Sequence, residues 1–159
     1  MNRGLRVGIC VLSRGLMLLL AVFGLAGALC AADPFVGKWK MTPTKSQVAG
    51  SFTMKAEGQD NGIQVVEDLH WANGNAVQRR WTAKYDGKNY PIGGDSTMDA
   101  ISLKKANPNT INYVVKKSGK QYASGKCTVS KDGKTMTDFG SAEGERGQVF
   151  TFNIILEKQ

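Results

Sequence analysis

The stretch VQRRWTAKYDG, residues 77–87, decides the fold. In an extended chain successive side chains point to opposite faces, so Val77, Trp81, Ala83 and Tyr85 share one side. Gln78, Arg80, Thr82 and Lys84 share the other. The stretch then runs into Asp86-Gly87, a pair that supplies the positive φ a tight reversal needs. One dry face followed by a turn is the signature of a hairpin strand.

The same reading holds outward in both directions. TINYVVKK (110–117) aligns Ile111, Tyr113 and Val115. VFTFNIIL (149–156) aligns Phe150, Phe152, Ile154 and Leu156, with Val149 and Ile155 opposite. Turn signals recur at 60–62, 73–74, 86–87, 107–109, 118–119, 132–133 and 146–147. Their spacing, about 12 to 14 residues from Gly62 through Gly87 and from Gly119 through Gly147, fits one strand plus one turn. No segment after residue 33 carries a helical period. The chain therefore reads as an all-β, antiparallel meander of about eight to ten strands. Open edges invite aggregation, so a meander of that length is expected to close into a single-domain barrel.

Residues 1–32 differ in kind. They hold Arg3, Arg6 and Arg14, no acid, and then the apolar run LMLLLAVFGLAGALC at 16–30. A basic segment followed by an apolar one of roughly 7–15 residues is a secretory signal. It is shorter than the roughly 20 residues of a membrane span. Cleavage is expected before Asp33, giving a secreted or periplasmic chain of residues 33–159 without a transmembrane segment. Leu29 stands before Cys30 where a lipidation signal needs Gly or Ala, so acylation is not expected. Cleavage would also remove Cys10 and Cys30 and leave Cys127, either a buried apolar residue or a free thiol, so the core alone must hold the domain.

Three spaced motifs, DPFVGKW (33–39), YDGKNYP (85–91) and SKDGKTMT (130–137), resemble a group of short secreted bacterial proteins of lipocalin-like appearance. Gly37 and Trp39 also match the G-x-W element of lipocalins and fatty-acid-binding proteins, where it closes one end of the barrel. The resemblance implies that Trp39 plugs the closed end and that the first strand stops at Pro43. It implies no particular activity.

Chemistry is sparse. His70 has no second ligand in a metal-binding pattern. Gly94-Asp95-Ser96 is followed by no histidine, leaving a hydrolase built on the 93–99 loop as the weakest reading. Asp95, Thr97 and Asp99 lack the glycine and distant glutamate of a calcium loop. No cofactor is expected. Beyond residue 32 the chain holds 18 basic residues against 13 acidic ones. Eight lysines fall within 100–135, beside the single acid Asp132. Nucleic acid is not expected as a partner of an exported protein in which arginine is this scarce.

Arg79 breaks the pattern. Alternation points it inward with Val77 and Trp81, where Glu67, in phase with Ile63, Val65 and Leu69, could pair with it. Alternatively, its stem lies on the core while its head reaches water. The reading that follows is a monomeric, non-catalytic barrel that takes a small apolar or acidic amphipathic ligand inside. The residues expected around that ligand are Trp39, Met41, Val65, Arg79, Trp81, Tyr113 and Phe152, with PIGGDST (91–97) near the open end. The rival is a solid barrel that engages the cell envelope through its lysine-rich strands.

Overall fold

Positive φ at the reversals sets the course of the chain. The computed structural model describes residues 32–144 and 147–159. The signal-peptide reading of residues 1–32, with Cys10 and Cys30, falls on 1–31 and so lies outside the described residues. Gly87 and Gly133 have φ of 77° and 71°, as their Asp-Gly turns require. At the 60–62 turn the positive φ belongs to Asn61, and Gly62 already opens the next strand.

Ten strands result: β1 (Gly37–Met41), β2 (Gly50–Gln59), β3 (Gly62–Trp71), β4 (Ala76–Lys84), β5 (Tyr90–Gly93), β6 (Ala100–Asn107), β7 (Thr110–Lys117), β8 (Lys120–Val129), β9 (Thr135–Glu143) and β10 (Val149–Lys158). Each pairs antiparallel with its chain neighbour, and β1 closes the barrel on β10 through Trp39–Lys158 and Met41–Leu156. After β1 the chain makes a single 3-10 turn, Pro43–Lys45, at the TPTKS break. Ser46 ties this turn down: its hydroxyl donates to Thr42 O at 2.9 Å and accepts from Ile155 N at 3.0 Å.

β5 is the weak seam. It pairs with β4 only at Arg80–Gly93 and Trp81–Ile92, and with β6 only at Tyr90–Ile101 and Pro91–Ala100.

Alternation is clearest on β2 and β4. Ser51, Thr53, Lys55 and Glu57 on β2, and Gln78, Arg80, Thr82 and Lys84 on β4, all face water. The apolar residues between them face the axis. A polar outer wall around an apolar interior is the reverse of a membrane-spanning barrel.

A Cβ at Gly133 would meet nothing within 4 Å. Gly133→Val therefore isolates backbone strain, and urea unfolding is expected to show a loss of about 1–3 kcal/mol with the fold retained. An unchanged midpoint would mean that this turn does not need its positive φ.

Candidate ligand-binding site

The barrel's two ends are built differently. At one end lie the β2–β3, β4–β5, β6–β7 and β8–β9 turns together with residues 33–36. Trp39, 1% exposed, fills this end, and its indole N–H donates to Phe35 O at 2.9 Å. Phe35 is packed into the same core. Asp33 fastens the segment by accepting from the Tyr85 hydroxyl at 2.8 Å and from Lys105 Nζ at 2.9 Å. Burial, with Asp33 alongside, pushes the Tyr85 hydroxyl far above its ordinary range, so it remains a donor.

Above this plug lies a cavity of about 310 Å³. Phe35, Ile63, Met136 and Leu156 are among its apolar lining. Its rim, at the end that carries the 94–99 loop, includes the exposed Trp71 and Phe150.

One row of residues shapes the wall. Tyr113 on β7 stands opposite Gly125 on β8, Gly125 opposite Gly140 on β9, and Gly140 opposite Phe152 on β10. A Cβ at Gly125 would lie 2.5 Å from the Tyr113 Oη, and one at Gly140 would lie 2.8 Å from Phe152 Cζ. Both glycines therefore give their space to the two aromatic rings, which lie against the wall instead of reaching toward the axis. That leaves the centre open.

The interior also holds charge. Glu67 and Arg79 are a cross-strand pair, Nη1 to Oε2 at 3.7 Å. Arg79 Nε donates to Asp95 Oδ2 at 2.6 Å. The Trp81 indole N–H adds a bond to Glu67 Oε1 at 3.3 Å. Burial raises the Glu67 carboxyl above its ordinary range, against the pull of Arg79. Burial also works against ionised Asp95, but bonds from the Thr97 hydroxyl and backbone N–H, with Arg79, hold it below the usual range.

On the far side of the barrel Asp138 accepts from the Tyr113 hydroxyl at 2.8 Å, and Cys127 stands opposite it on β8. Burial pushes Asp138 up to about 6, since Tyr113 and Cys127 favour its anion too little and Glu67 opposes it. The Cys127 thiol is pushed well above its ordinary range by burial and by Asp138, so it stays protonated.

Met41, Val65, Arg79, Trp81, Tyr113 and Phe152 all line the cavity. Trp39 does not; it lies under the floor as the plug. The structure takes the inward alternative for Arg79, with its side chain 15% exposed. Glu67, the partner expected for Arg79, does pair with it, and Asp95 adds a second carboxylate in the place an acidic ligand head would take. Ser96, in the 93–99 loop, has its carbonyl bonded by Lys117, while Asp95 is committed to Arg79 and Thr97.

Sequence reasoning missed Asp138, and it weighed Asp95 only in hydrolase and calcium-loop patterns, not as a partner of Arg79. Asp95 sits in a loop where no periodicity applies. Asp138 is in phase with Met136 and Ala142 on β9, but the outward Phe139, 52% exposed, masks the alternation.

A crystal structure of the zebrafish ileal bile acid-binding protein complexed with cholic acid has this architecture. The TM-score is 0.51 at 10% identity, over 79% of this chain and 99% of that one. At that identity the likeness shows the fold, a barrel of the lipocalin and fatty-acid-binding type. No protein-family model matches the chain, and no curated protein shows significant similarity to it.

The buried acid makes stability depend on pH. Asp138 ionises near 3.8 when unfolded and near 6 when folded. The folded state therefore holds its proton at pH values where the unfolded state has lost it. Stability is lowest with Asp138 ionised, above pH 6, and rises as pH falls through 6 toward 4. Urea unfolding is expected to show a gain of about 1–2 kcal/mol from this residue between pH 7.5 and pH 5. Asp138→Asn should lack that gain. A variant with the same acid response as the parent protein would contradict the assignment.

Proposed function

We propose that this chain is an exported, non-catalytic carrier that holds one small apolar or amphipathic molecule inside its barrel. The observation that carries the reading is the cavity of about 310 Å³, walled by apolar side chains and floored by the Phe35–Trp39 plug. Pockets of this size and character suit small ligands. Barrels of about eight strands are either just filled or hold one small ligand, and interior width grows with strand number. Ten strands with two interior glycines fall on the hollow side of that divide. A hollow interior also weighs against the solid-barrel reading.

The likeness to a bile acid-binding protein solved with cholic acid supports an amphipathic occupant at the level of the fold. Export rests on the basic and then apolar residues 1–32. The lysines of the outer wall are read as keeping strands soluble and edges unpaired.

Nile red, a neutral apolar dye, tests the reading. Its emission is expected to rise and shift to the blue on binding, with one site per chain. Ala142→Trp, which fills the cavity from its wall, should abolish the response while leaving circular dichroism unchanged. A response that survives in this variant would place the dye elsewhere and overturn the reading.

A further inference from the structure

The charges inside the barrel are unbalanced. Among the described residues, Arg79 is the one lysine or arginine that lines the cavity. It is held by two carboxylates, Asp95 at 2.6 Å and Glu67 at 3.7 Å. Asp138 lies on β9, away from Arg79, and its neighbours there are a hydroxyl and a thiol. β8 presents Cys127 to it, β7 presents Tyr113, and Glu67 acts on it from across the barrel. β10 contributes Phe152 and Ile154, which do not titrate. His70 stands exposed at the rim. Glu67 and Asp138 thus line an apolar chamber large enough for a guest, and its one guanidinium is already held by Glu67 and Asp95.

A guest's carboxylate would meet a like charge that no lysine or arginine offsets, in surroundings where water screens poorly. A guest's cation, or a neutral donor, would meet a carboxylate with acceptor capacity still open, because among the described residues the Tyr113 hydroxyl is the one side-chain donor bonded to Asp138. We propose, resting on the carrier reading above, that Asp138 makes the cavity selective for an amphiphile with a protonated amine or other hydrogen-bond-donating head, against the carboxylate of the same tail. The apolar walls take the tail, and Asp138 meets the head. The aromatic–Gly–Gly–aromatic row favours this placement, since it keeps the wall beside Asp138 low and leaves the carboxylate within reach of the chamber.

Decylamine, decanol and decanoate share a tail and differ in the head. Their displacement of Nile red from the purified protein at pH 7.5 separates the outcomes. Decylamine is expected to bind about tenfold more tightly than decanoate, with decanol between them. Asp138→Asn should bring the amine and the alcohol to within about threefold of each other. Without any substitution, the amine's affinity should fall between pH 7.5 and pH 5, as Asp138 takes up its proton, while the alcohol's stays constant. Decanoate binding as tightly as the amine, or an amine affinity indifferent to both Asp138→Asn and pH, would overturn the selectivity and leave the carrier reading standing. Failure of all three to displace the dye would overturn both.

Discussion

Closure of β1 onto β10 is the constraint on which the rest depends. It joins strands from the two ends of the described chain through the Trp39–Lys158 and Met41–Leu156 registers, and it leaves the sheet no edge to protect. Once the ring is closed, period-two alternation sends one face of every strand to the axis and the other to water. The ring has ten members, and ten strands enclose more space than a tight core of eight. Side chains fill one end of that space. Midway along the strands, Gly125 and Gly140 let Tyr113 and Phe152 lie back against the wall, and the space remains.

The same closure explains how carboxylates persist inside. An isolated buried charge is costly and is tolerated only when paired or hydrogen-bonded. Arg79 supplies a counter-charge to Glu67 and Asp95. Asp138 has only neutral donors, and its raised ionisation point records that shortfall. A residue that lowers stability when ionised, yet faces a chamber, fits the pattern in which proteins place strain at functional sites.

Much of the architecture was legible from local pattern. Asp-Gly turns and alternation are properties of a few adjacent residues, so a count of about eight to ten strands and their inward faces followed from reading along the chain, whereas alternation left open whether the head of Arg79 stays inside or reaches water. What depended on contact across the ring did not. The second partner of Arg79 comes from a loop sixteen residues away, where alternation carries no information. The row Tyr113–Gly125–Gly140–Phe152 exists only once four strands are in register, because a glycine in a strand says nothing by itself about which ring will cover it. Trp39 shows the intermediate case. Its inward direction was readable, but its place beneath the cavity floor depended on how Phe35 folds back over it.

Methyl NMR of the protein titrated with Nile red tests the central claim most directly, since it asks whether the guest sits on the axis. Val65, Leu69, Ile111 and Val115 line the cavity, whereas Val114 and Val149 lie outside its lining. The account expects the first four methyl groups to shift in slow or intermediate exchange with one equivalent of dye, while Val114 and Val149 stay in place. Shifts confined to Val114, Val149 and their neighbours, with the interior methyls unmoved, would contradict it.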